Sequence, residues 1–331
     1  MLSTMILHAK PPSRHAVQPL DAAPIAPMAT VPSWLRRAVE TAPTLEDAAL
    51  AAGAALHALD TLVNAAPPWA GAWRQRLALK CAAAAVRLAG RAEDEAALRD
   101  AWHLRSPGDD PGPSGAIFAA WKRLASRSPA VDAEGLRGIC DLLGVRWDGA
   151  LATIPERMDD LLRSAPPAPF MAAGIAAHVH AARPEAAFLG WWLADLALAQ
   201  RLRWPIAVPL LIAQVHTPAF RSGNGHGRIR PGEQKFERAV CLAVAQASLE
   251  ACRLAADIAR NAARLAAAAP KLRAKGAGEA IRLLLDEDAV PGSLQTPHLS
   301  RWGARRLFER LTGLGAVREL SGRATFRIYG L

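Results

Sequence analysis

The sequence is short of the residues that build sheets: among its 331 positions are one tyrosine and seven phenylalanines. Alanine, the strongest helix former, occupies 74 positions instead. Strand-favouring aromatic and β-branched residues are too scarce for a largely β protein. An ordinary disordered chain is excluded too, because 51% of residues are hydrophobic and ten are tryptophan. The four cysteines, Cys81, Cys140, Cys241 and Cys252, lack the Cys-x-x-Cys spacing of a zinc or redox site. Cys241 and Cys252 fall about three turns apart on one predicted helix, roughly 16 Å, too far for a disulfide. They read as buried free thiols in a reducing cytoplasm. Long apolar runs are also missing. The stretch Ala186 to Ala199 is interrupted by Asp195, so no segment is expected to reach the roughly 20 residues of a bilayer span, and no membrane partner is expected. Met1 to Leu7 is too short for a signal-peptide core. Residues 1 to 31 read as a mobile tail.

What the chain has is positive charge, +10 in all. That suggests a polyanionic partner, although 34 of the 40 basic residues are arginine, a bias that a GC-rich genome produces unaided. From Thr44 onward, helical patterns alternate with Pro and Gly punctuation. The pattern predicts helices at 44–64, 70–88, 93–104, 115–126, 132–143, 149–163, 168–182, 184–202 and 206–216. Glu233 to Ala269 then runs 37 residues without Pro or Gly, a predicted spine of about 55 Å. These elements form an expected helical domain over residues 32–269, followed by a linker at 270–278.

Residues 279–331 change character. Helical stretches at 279–285 and 299–314 flank a broken one, and two strand-like runs, 316–320 and 324–329, follow around a Ser321-Gly322 turn. This order predicts a winged helix-turn-helix, so the fold class is mainly α with one small β-hairpin. Residues 301–331 hold seven arginines against two glutamates. On the last helix Ala304, Leu307, Phe308, Leu311 and Leu314 share one face, leaving Trp302, Arg305, Arg306 and Glu309 on the other. A tryptophan among outward arginines points to DNA contact by Arg301, Trp302, Arg305 and Arg306, with Arg323 and Arg327 on a wing. The alternative is a docking or dimerisation module that buries Trp302. Little room remains between 286 and 297 for the helix that usually braces a reading helix.

A second candidate precedes the spine. Gly223, Asn224 and Gly225, with Arg228 and Arg230, make a loop able to converge backbone N–H groups on an anion, with His216 as a general base. A solvated surface loop is the plainer reading. The order His216, Phe220, Gly223-Asn224-Gly225 and Arg228 resembles the loop of the Fic family, which transfers AMP or related groups onto proteins. That resemblance implies His216 as base, residues 223–225 as anion cradle, Arg228 or Arg230 on phosphate, and ATP with Mg as cofactors. Ser222 stands where that family has its acidic metal ligand.

Asp100, His103, Asp109 and Asp110 gather near Trp102, but helix-start, surface and turn chemistry account for them. His178 and His180 point to opposite sides of a helix. No metal site is assigned. Over nearly its whole length the chain is identified as a member of a proteobacterial family, domain of unknown function 1403, often carried on plasmids. The resemblance is carried by Pro68 to Leu77, with Trp69, Trp73, Arg74 and Arg76, by Asp100 to Arg105 with Gly108 to Pro113, and by Pro270 to the end. The expected function is a cytoplasmic DNA-binding regulator or plasmid accessory without cofactors, its helical domain forming a homodimer or meeting a protein partner. A diverged Fic-like nucleotidyltransferase and a non-catalytic interaction protein are the alternatives.

Overall fold

Thr44 starts the first long helix as its spacing predicts. Its hydroxyl accepts from the Asp47 N–H at 3.1 Å, and the Asp47 carboxylate accepts the Thr44 N–H in return. The computed structural model describes residues 31–331 apart from 106, 107, 131, 223–226, 273, 275 and 324. The expected tail, except Val31, therefore lies outside the described residues. Within them are twelve α-helices and one small sheet.

Helices α1 (Ser33–Thr41), α2 (Leu45–Ala65), α3 (Ala70–Leu88), α4 (Glu95–Leu104), α5 (Gly112–Leu124) and α6 (Ala133–Leu143) come first. Then follow α7 (Ile154–Ser164), α8 (Ala168–Ala182), α9 (Ala187–Arg201) and the spine α10 (Phe236–Ala268). Sequence periodicity misses α1, which is only nine residues long. The spine is unbroken. Its Ala239, Ala243, Ala247, Ala251 and Ala255 form a buried row at i+4 spacing, a ridge of small side chains that lets α2 and α8 approach closely. Tryptophans pin the outer helices. The indole N–H of Trp73 donates to the Ala251 carbonyl at 2.9 Å, and that of Trp192 to the Ala120 carbonyl at 3.0 Å.

The helix predicted at 206–216 is not formed. Pro205 and Pro209 remove donors and bias the residues before them away from helix. The fully buried carboxylate of Asp195, on α9, instead accepts the N–H groups of Leu210 and Leu211, each at 3.0 Å. Only a 3-10 turn, Ile212–Gln214, survives in this segment. A second correction concerns apolar length: by length and composition α2 and α10 are each apolar enough to cross a bilayer, because alanine raises their hydropathy. In the fold, half of the most apolar stretch of α2 and 72% of that of α10 are buried inside the protein.

The C-terminal part holds α11 (Ala277–Asp286), β1 (Val290–Pro291), α12 (Arg301–Gly313), β2 (Arg318–Glu319) and β3 (Ile328–Gly330). The strands form an antiparallel sheet in the order β1-β3-β2, with Val290 opposite Tyr329 and Arg318 opposite Gly330. The expected hairpin is present but shorter, and β1 adds a third strand. Residues 292–300 contain no helix; Gly292 donates to the Arg327 carbonyl, and Thr296 and Leu299 pair with each other. The connection at 270–278 opens with a 3-10 turn, Ala269–Lys271, and already enters α11 at Ala277. It is packed: a Cβ on Gly276 would lie 2.6 Å from Leu299 Cβ. The core is continuous from Leu35 to Leu331.

Candidate nucleic-acid interface

Helix α12 begins at Ser300, whose hydroxyl accepts from the Gly303 N–H at 3.2 Å. Ala304, Leu307, Phe308 and Leu311 face inward, as periodicity predicts. Phe308 stacks on Tyr329 of β3 with ring centroids 4.7 Å apart, which fixes the helix against the sheet. Leu314, expected on the buried face, is the residue just after the helix and is exposed. The opposite face carries Arg301, Arg305 and Arg306, all exposed, around Trp302, which is 72% exposed.

The cationic groups have different surroundings. Arg305 pairs with Glu309 at 3.1 Å, one turn along the same helix. Arg323 reaches out of the module to the Asp100 carboxylate of α4 at 2.8 Å, and Arg327 lies 3.7 Å from Glu319. Arg318 donates to the Leu331 carbonyl at 3.2 Å. Phe326, between Arg323 and Arg327 in the hairpin turn, is 66% exposed and held at φ +58°, a conformation that bulky residues rarely adopt. Sequence patterning gives no signal for it. Between α12 and residues 270–274 opens a cleft of about 720 Å³, lined by Lys271, Arg306 and Arg310 with Leu272 and Leu307 at its base. None of its lining residues is acidic.

The module is bound to the helical part through a group that sequence reasoning also misses. Asp288, buried just before β1, accepts from Arg99 of α4 at 2.6 Å and from Arg76 of α3. Burial alone would raise its carboxyl; the two guanidinium groups outweigh that and hold it below the usual range. Lys122 of α5 adds a contact to Glu287 at 2.7 Å. These pairings span more than 160 residues of sequence, so no local motif reveals them.

The second candidate is only partly described. Gly223, Asn224 and Gly225 lie outside the described residues. The bases of their loop are paired: Arg221 bridges Arg228, and the Ile229 N–H donates to the Phe220 carbonyl at 2.9 Å. Arg228 donates to the Val215 carbonyl at 3.4 Å, next to His216. The Nε2 of His216 is buried and, among the described residues, has no partner. Burial first, then the charges of Arg228 and Arg87, lower its imidazole from the ordinary histidine value. Arg230 stands elsewhere, at the rim of a separate pocket with His180 and Trp191. Among the described residues no three His, Cys, Asp or Glu side chains are placed to hold a metal ion. His103 lies partly buried at the end of α4, its imidazole lowered to about 4 by burial and by Lys122. Asp100 is engaged by Arg323.

Together these features define a mainly helical protein with one continuous core, to which a small C-terminal sheet and an arginine-rich helix are bound by buried ion pairs. The chain belongs to the DUF1403 family, proteins of unknown function, whose model matches residues 22–331. No curated protein matches it.

Proposed function

We propose that the protein contacts DNA through α12 and acts as a regulatory or plasmid-accessory protein, with its helical part available for dimerisation or a protein partner. The observation that carries this is Trp302, 72% exposed among Arg301, Arg305 and Arg306 on the solvent face of a helix whose other face is fully packed. A large indole left in water beside cations suits stacking on bases and phosphate contact better than packing. The sheet order and the two helices are compatible with a winged helix-turn-helix that lacks its middle helix. A cytoplasmic site of action suits the four buried free cysteines. Replacing Arg305 and Arg306 together by alanine tests this directly. Loss of two phosphate contacts should weaken DNA binding and make the slope of log K against log salt shallower by about 1.8. Unchanged affinity and slope would remove α12 from the interface.

A second reading rests on His216, whose buried Nε2 has no partner among the described residues. In a diverged Fic-like transferase it would act as general base, Arg228 would hold phosphate, and ATP and Mg would be required. Incubation with labelled nucleotide triphosphates and Mg, comparing the protein with His216→Ala, decides it. Labelling of the protein or of lysate proteins that disappears in the variant supports the transferase, and no labelling refutes it. If both tests are negative, a non-catalytic interaction protein is left.

A further inference from the structure

We infer that the strand held by this protein is single-stranded DNA, lying in the cleft between α12 and residues 270–274, with Trp302 as a base-stacking platform. This rests on the assignment of α12 as the DNA contact and narrows it. The parts that grip a duplex are missing or occupied. Residues 292–300 hold no helix to brace α12 across a groove. Arg323, at the place of a wing, is held 2.8 Å from Asp100, so the hairpin leans on the helical part rather than reaching outward. Arg327 stays near Glu319.

The parts that grip a single strand are present. At 100° per residue Trp302, Arg306 and Arg310 lie within about 80° of one another, a row along α12 rising about 12 Å. Arg306 and Arg310 form one wall of the cleft and Lys271 the other, with no carboxylate in the lining. The Arg310 guanidinium also donates to the Lys271 carbonyl at 3.4 Å, which joins the two walls at one end. Arg305 and Glu309 neutralise each other on the side of Trp302 away from the cleft. Open basic grooves with an aromatic beside them track the backbone by charge and hold bases by stacking, largely without regard to sequence. Leu272 and Leu307 give the cleft an apolar base against which sugars can lie.

The test is fluorescence anisotropy of the full chain with a labelled single-stranded DNA oligonucleotide, the same sequence as a duplex, and the same sequence as single-stranded RNA. The inference expects the single-stranded DNA to bind tightest. Trp302→Ala should weaken it at least about five-fold, whereas Trp302→Phe, which keeps an aromatic face, should restore most of the affinity. Lys271→Ala should make the salt slope shallower by about 0.7, the loss of one phosphate contact on a single strand. Both side chains are exposed, so the variants keep the native circular dichroism and melting temperature. Equal or tighter binding of the duplex, or no effect of Trp302→Ala, overturns the single-strand inference. If Arg305→Ala with Arg306→Ala still weakens binding in that case, DNA contact through α12 survives it. No binding of any oligonucleotide overturns both. Tighter binding of the RNA overturns the assignment to DNA.

Discussion

Arg99 on α4 donates to the carboxylate of Asp288 at 2.6 Å across 189 positions of sequence, and Arg76 on α3 reaches the same carboxylate. One buried anion thus ties two helices of the main body to the strand that begins the C-terminal sheet. Removing it leaves two guanidinium groups, themselves largely buried, without a counter-charge. Asp288→Ala is expected to destabilise the protein by about 3–5 kcal/mol, read from urea or thermal unfolding. Acid acts in the same direction. The carboxyl is lower folded than unfolded, so its stabilisation is present above the ordinary aspartate value and is lost as pH falls through the folded one. Asp288→Ala should therefore show a weaker loss of stability in acid than the unaltered protein. Equal stability of the two proteins at neutral pH would show that the anion is not a tie.

Gly71 makes the same junction tight. A Cβ at this position on α3 would stand 2.6 Å from Asp286 Cα and 2.8 Å from its carbonyl oxygen, both backbone atoms. Neither can rotate away, so the end of α11 must shift by a few tenths of an ångström or more. Gly71→Ala is expected to cost about 1–3 kcal/mol despite the better helix propensity of alanine. Amide hydrogen exchange should show the loss of protection concentrated in α11 and β1. Protection unchanged there would place the strain elsewhere.

These two contacts also mark where the sequence stops being readable. The spine was legible because 37 residues without Pro or Gly admit few other structures, and the two faces of α12 because Leu307, Phe308 and Leu311 repeat at helical spacing. Segment 206–216 looked helical for the same local reason, yet its backbone donors are taken by Asp195, a partner on another helix. Asp288 carries no local signal at all, since its role depends on Arg76 and Arg99 arriving from distant helices. The arginine-rich face was legible as a pattern, but the pairing of Arg323 with Asp100 and the cleft beside Lys271 exist only in the folded packing.

Asp195 should leave a signature in the pH dependence of stability. Its carboxyl is fully buried, and burial raises it to about 7 against 3.8 for an ordinary aspartate, even though two backbone N–H groups favour the charged form. A raised carboxyl stabilises fully below the unfolded value and loses that stabilisation as pH rises through the folded one. Between pH 3.8 and about 7 this group should lower stability by about 1.4 kcal/mol per pH unit. Asp195→Asn should flatten that window. It should also cost about 1–3 kcal/mol near pH 4, because an amide offers one acceptor to two backbone donors. Denaturant unfolding from pH 4 to 8 checks both parts, and an unchanged slope would show that Asp195 titrates at its ordinary value.

Arg323 separates two roles for the hairpin. If it grips phosphate, Arg323→Ala weakens DNA binding and makes the salt slope shallower by about 0.9 for a duplex. The structure gives it a different neighbour, Asp100, at 2.8 Å with the arginine side chain about half exposed. A pair so placed contributes about 0–1 kcal/mol to stability. Arg323→Ala is therefore expected to leave affinity and salt slope unchanged and to lower stability by less than about 1 kcal/mol, whereas Arg306→Ala changes both binding measures. Asp100→Ala provides the internal check. It frees Arg323 from its carboxylate, so an increase in DNA affinity that Arg323→Ala then abolishes would show that the hairpin can act as a wing when released. Unchanged affinity in Asp100→Ala, together with unchanged affinity in Arg323→Ala, assigns the hairpin to docking and leaves the cleft beside α12 as the contact surface.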